Sequence, residues 1–197
     1  MKRRSYLWIE AMVFVLAASV GMHAAVSGAK PPKGAVPLLI TNAGQGAGAK
    51  MSRVLVQRTG LVTDFEYNAE PTVADLQKKS YRTMFVVIGS TAKGLGASGI
   101  TIDDEIQRLN AMIAEAKKQK IQVVAILIEG KDKRGKPGGA DERCIDAIAP
   151  FAQYLVVKKD GNEDGRFDAI AKKTGAPLTL IDDAIDFSDV VKQMYAK

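Results

Sequence analysis

Residues 83–89 read TMFVVIG and residues 122–129 read QVVAILIE. Unbroken apolar runs rich in β-branched side chains are what parallel strands covered on both faces require, because neither face meets water. Between them, residues 101–119 (TIDDEIQRLNAMIAEAKKQ) set Ile102, Ile106, Leu109, Ile113 and Ala116 at three- and four-residue steps, one apolar helix face opened by a Thr101–Asp104 capping box. Two parallel strands joined by such a helix form a right-handed crossover unit.

Working outward, strand-like runs recur at 37–41, 61–67, 154–158 and 178–181, with helical segments near 47–59, 73–80, 140–151, 166–174 and 187–195. This alternation predicts an α/β fold: a three-layer, open, mainly parallel sheet, flavodoxin-like or Rossmann-like. The second run, LVTDFEY at 61–67, mixes polar with apolar positions as a half-exposed edge strand does. An edge position there favours the order 2-1-3-4-5-6 over 3-2-1-4-5-6, so the chain reverses between strands one and three. Open sheets of this kind bind ligands at such a reversal.

At 197 residues, 47% hydrophobic and 25% charged, the chain suits one domain with a real core rather than a disordered or disulfide-dense chain. The only histidine, His23, and the only tryptophan, Trp8, lie near the N-terminus. There Lys2, Arg3 and Arg4 precede an uncharged stretch from Ala11 to Met22. An apolar run of this length matches a secretory signal, ~7–15 residues, and falls short of the ~20 that span a bilayer as a helix. Small residues around Ser27 and Ala29 predict cleavage after one or the other, leaving no stable membrane anchor. The Arg3–Leu7 string also partly matches a twin-arginine signal. The expected organisation is a signal peptide over 1–27, a linker over 28–36 and a single α/β domain over 37–197.

Removal of residues 1–27 lowers the net charge from +6 to +4. That excess is too diffuse for a nucleic-acid surface, and export places the protein in the periplasm or outside the cell, away from nucleic acid. Loss of His23 removes the usual general base of nucleophilic triads and the commonest zinc ligand. Cys144, beside Ile145 and Ile148, reads as a packing residue.

Four loops carry the candidate chemistry. Asn42, Gly44, Gln45 and Gly46 follow the first strand, and Gly44, Gly46 and Ala49 satisfy the alanine-tolerant dinucleotide pattern, with Glu66 placed for a ribose contact. Ala49 and Met51 depart from the nucleotide-triphosphate loop, which needs glycine and a hydroxyl there. A tight turn with no ligand uses the same glycines. The second loop, Gly89 to Gly99, offers Ser90, Thr91 and Lys93, a cradle for a carboxylate or phosphate facing the first loop across the reversal. The third, Gly130 to Gly139, is basic through Lys131 and Arg134 among others, which recruits an anion or is simply solvated. The fourth sets Asp160, Asn162, Asp164 and Asp168 at the spacing of a calcium loop. Ala171 stands where the closing carboxylate belongs, so the spacing predicts weak calcium binding or an Asx turn with a helix cap.

Three strings, ITNAGQGAGAKM at 40–51, VIGSTAKGLGASGITIDDEI at 87–106 and VVKKDGNEDGRFDAIAKKTGAPLTLID at 156–182, resemble an uncharacterised bacterial family of exported proteins, domain of unknown function 6305. The resemblance implies an exported single domain and brings no activity or catalytic residue with it. Three functions remain open from sequence: an extracytoplasmic module for a small polar or anionic ligand, an exported enzyme using a nucleotide or flavin, and an interaction domain for an envelope protein.

Overall fold

The computed structural model describes residues 25–196. A seven-stranded sheet runs through the molecule: β1 (Val26–Gly28), β2 (Leu38–Ala43), β3 (Phe65–Tyr67), β4 (Thr83–Ile88), β5 (Gln122–Leu127), β6 (Tyr154–Lys158) and β7 (Leu178–Ile181). The spatial order is β3-β2-β4-β5-β6-β7-β1. All neighbours are parallel except β1, which pairs antiparallel with β7. The order differs from the six-strand expectation through β1, which forms from residues assigned to the signal and the linker. The chain still reverses at β2, with β3 on one side and β4 on the other.

Helices cover both faces. On one lie α1 (Gly48–Thr59) and α7 (Phe187–Tyr195); on the other lie α2 (Val73–Lys78), α4 (Ile102–Lys118), α5 (Ala140–Ile148) and α6 (Arg166–Thr174). The two apolar runs that decide the fold feed both layers by alternation. Met84, Val86 and Ile88 of β4 face the α4–α5 layer, whereas Phe85 and Val87 face α1 and α7. Phe85 meets Phe187 edge to face at 5.7 Å between ring centroids, and each such buried ring contributes roughly 1.5–3 kcal/mol through removal from water. Helix α4 starts on the expected capping box, with Thr101 and Asp104 each accepting the other's backbone N–H. Such a cap is worth about 1 kcal/mol.

Two segments expected to be irregular are ordered. Residues 92–97 of the second loop form a short helix, α3 (Ala92–Ala97), capped by Thr91 and anchored by buried Leu95. The stretch read as a linker lies along the sheet. Ala29 N–H donates to the Leu178 carbonyl, and the Ala29 carbonyl accepts from Thr179 Oγ1, whose oxygen in turn accepts from the Tyr154 hydroxyl. A cut after Ser27 or Ala29 would break β1 or remove it from the sheet.

Candidate functional site

The loops after β2 and β4 meet at the reversal. Gln45 bridges Ser90 in antiparallel fashion, Thr91 N–H donates to the Gly44 carbonyl, and Thr91 Oγ1 donates to the Gln45 carbonyl at 3.2 Å. Glycine is needed here for close backbone approach. A Cβ on Gly46 would lie 2.5 Å from the Gly89 carbonyl oxygen, and one on Gly94 2.0 Å from that of Gln45. Gln45 itself sits in the left-handed region at φ 62°, a strained setting for a side chain with a Cβ. Asn42, Gly44, Gln45, Gly46, Ser90, Thr91 and Lys93 are therefore neighbours at one edge of the sheet.

Three amides of these loops are engaged by the protein's own carboxylates. Glu105 accepts from Gly44 N–H at 2.7 Å, Glu129 from Gly48 N–H at 3.0 Å, and Asp141 from Ser90 N–H at 2.5 Å. Glu129 thereby occupies the N-terminus of α1, where a carboxylate gains about 0.3–1 kcal/mol from the helix dipole. Its Oε1 packs so closely on Gly48 that a Cβ there would approach it to 2.9 Å. In the dinucleotide pattern, Gly44 and Gly46 make room for the Gly89–Ser90 backbone, and Gly48 beside them makes room for the Glu129 carboxylate. Glu66, the expected ribose contact, accepts instead from the Tyr81 hydroxyl at 2.6 Å.

Glu105 is the hub of this arrangement. It is fully buried on α4, and Arg108 grips it through Nε at 2.9 Å and Nη2 at 2.8 Å. The same guanidinium donates to the Asn42 carbonyl at 2.9 Å, so one ion pair fixes the start of the first glycine loop from Asn42 to Gln45. Burial pushes the Glu105 pKa up, but the hydrogen bonds and charge of Arg108, aided by Gly44 N–H and Gln45, outweigh it and hold the carboxyl below its ordinary value.

Outside these loops lies a cleft of about 570 Å³, walled by Asn42, Gln45 and Tyr67 on one side and by Thr91 and Lys93 on the other, with Lys50 and Glu70 also lining it. The Tyr67 hydroxyl is buried, with the Asn42 side chain as its polar neighbour and no well-formed hydrogen bond. Desolvation raises its pKa, partly offset by Asn42 and by Arg53, whose guanidinium lies 5.8 Å from the ring centroid. Ser98 donates to Glu70, linking the end of α3 to the segment after β3.

The third and fourth loops pair with each other rather than with this cleft. Lys131 N–H donates to Asp160, which also forms an ion pair with Lys158. Arg134, expected to face a ligand, is bound by buried Glu142 at 2.8 Å and by Asp164 at 2.7 Å. Only Lys133 reaches across, donating to the Ser90 carbonyl at 3.1 Å. The calcium reading is corrected for the same reason. Arg134 holds the Asp164 carboxyl down at about 2, while Asn162 is spent on Phe167 N–H and on Asp168. No group of three acidic, cysteine or histidine side chains among the described residues is arranged to hold a metal ion. Millimolar calcium, read by calorimetry against magnesium, is accordingly expected to leave the melting temperature unchanged. A calcium-specific rise lost in Asp160→Ala with Asp164→Ala would contradict this.

Glu105, Glu129, Asp141 and Tyr67 were not singled out as site residues from sequence, and Lys50 entered only as the lysine of the rejected nucleotide-triphosphate loop. A signal existed for Glu105: it lies three residues after Ile102 and four before Leu109, on the apolar face of α4, with Arg108 one turn on.

Comparison with known proteins adds a family. The family described as a domain of unknown function (DUF6305) matches residues 35–195. The chain belongs to it. No curated protein matches the DUF6305 chain. Among solved structures, it is similar to the psychrotrophic esterase EstA from Pseudoalteromonas sp., at 10% identity over 80% of this chain and 93% of that one, with a TM-score of 0.33. It is also similar to the acetyl xylan esterase AlAXEase, at 15% identity over 81% and 97%, TM-score 0.34, and to TesA, at 14% over 72% and 76%, TM-score 0.26.

Proposed function

We propose that the chain is a small-ligand-binding module, exported to the periplasm or beyond, whose cleft at the carboxyl edge of the sheet takes a polar or anionic molecule. The observation that carries this reading is the cleft's position and lining. It opens where the strand order reverses, its volume lies in the range of small-molecule sites, and its lining includes two lysines and Tyr67, whose hydroxyl is buried without a well-formed hydrogen bond. A buried hydroxyl without a well-formed bond carries a desolvation penalty that a polar ligand atom relieves. Because the Gly44, Gly48 and Ser90 amides are already engaged, an anionic group on the ligand pairs with the ammonium groups of Lys50 and Lys93. Cys144 is fully buried and lies outside the cleft lining, and burial above all pushes its thiol up to about 12, which suits packing rather than nucleophilic attack. Export rests on the N-terminal segment and is read by intact mass of the protein from its native envelope.

A thermal-shift screen of polar and anionic compounds tests the binding reading. A ligand at 100 times its dissociation constant adds about 2.7 kcal/mol of stability. For an anionic hit, Lys50→Gln and Lys93→Gln should each weaken binding by about fivefold, the worth of one exposed charge pair. Unchanged affinity in the double variant would move the site elsewhere.

A further inference from the structure

A second hollow, of about 530 Å³, lies at the opposite, amino edge of the sheet. Ile113, Ile121, Val123 and Phe151 give it an apolar wall, and Lys117 and Lys120 stand among its lining residues, none of which is acidic. Phe151 is 55% exposed, an unusual setting for a large apolar ring, and its far side lines a further hollow by Thr174 and Ala176. Lys120 has a backbone peculiarity. Among the described residues only it and Gln45 are non-glycine residues at positive φ, and each lines a cleft. Helices α1 and α6 end on Gly60 and Gly175 in this left-handed conformation, where a Cβ is disfavoured; α4 ends with Lys120 at φ 57°. The turn itself is ordinary, with Lys120 N–H donating to Lys117 and Ile121 N–H to Ala116. Lys120 thus holds a setting that glycine usually fills, beside an exposed ring and a second lysine.

We propose that this hollow binds a small amphiphilic acid, an aliphatic or aromatic carboxylate. Its apolar part lies against Ile121, Val123 and Phe151, and its carboxylate faces Lys117 and Lys120. The site is separate from the carboxyl-edge cleft and stands or falls independently of it.

Amide chemical shifts of the whole protein titrated with octanoate, and in parallel with 1-octanol, test this. Octanoate is expected to saturate with shifts centred on residues 113, 121–123 and 151, and 1-octanol to bind at least about fivefold more weakly, the loss of one charge interaction. Lys120→Gly is the informative variant, because glycine suits the backbone there: the melting temperature should not fall, while octanoate affinity drops about fivefold. Lys117→Gln should do the same without touching the turn. Equal binding of acid and alcohol, full affinity in both lysine variants, or no saturation by octanoate overturns the proposal.

Discussion

Glu105→Ala is expected to cost about 3–5 kcal/mol of folding stability, the usual penalty for leaving one member of a buried ion pair without its partner. Arg108, only 16% exposed at its side chain, would retain its charge with the Asn42 carbonyl as its main remaining acceptor, and the Gly44 N–H would lose its acceptor as well. Urea denaturation monitored by circular dichroism checks the magnitude. Replacing both members by apolar residues, Glu105→Leu with Arg108→Met, should cost less than Glu105→Ala alone, since no orphan charge remains. The pH dependence has a fixed sign. A carboxyl whose folded pKa is depressed stabilises the fold fully above its unfolded pKa, about 4.3 for glutamate. That stability is lost as the pH falls through the lower folded value. Wild type should therefore lose stability below that pH more steeply than the double apolar variant. Equal acid sensitivity would remove Glu105 from its place as hub.

Gly94→Ala should be the second most damaging change, at about 3 kcal/mol, because its Cβ would meet the Gln45 carbonyl oxygen at 2.0 Å and backbone rather than a flexible side chain must give way. The Thr91–Gln45 hydrogen bond that closes the two loops would open with it. Gly96→Ala, two residues along the same helix, meets nothing within 4 Å and should instead stabilise by about 0.5–1 kcal/mol, through a less flexible unfolded chain and better helix propensity. The opposite signs of neighbouring substitutions separate close loop packing from general helix propensity. Two melting curves decide it: destabilisation by Gly96→Ala, or tolerance of Gly94→Ala, would contradict the loop geometry.

The parallel core was legible because its pattern is local. Met84 to Ile88 and Val123 to Ile128 alternate between two apolar layers, which is what so continuous a β-branched run suits. Strand β1 was not legible, since Val26–Gly28 carries no strand pattern of its own and owes its conformation to pairing with β7. Helix α3 was hidden by two glycines, Gly94 and Gly96, and is held by the Thr91 cap and the burial of Leu95. The site was half legible. Glycine spacing indicated where backbone comes close, and the sheet reversal brought the two loops together. What occupies their amides was out of reach, because Glu105 and Glu129 come from 61 and 81 residues further along the chain. Local spacing also misled at the fourth loop, where Arg134 from the third claims the Asp164 carboxylate.

One measurement bears most directly on the carboxyl-edge cleft: an amide chemical-shift titration with the strongest anionic compound from the thermal-shift screen. The largest changes are expected at Lys50, Tyr67, Lys93 and Ala97, with Gly44, Gly48 and Ser90 keeping the amide shifts of their carboxylate-bonded state. Changes concentrated at Gly44, Gly48 and Ser90 would mean that the ligand displaces Glu105, Glu129 and Asp141, and changes confined to other surfaces would mean that the cleft is not the site; either result contradicts the proposal.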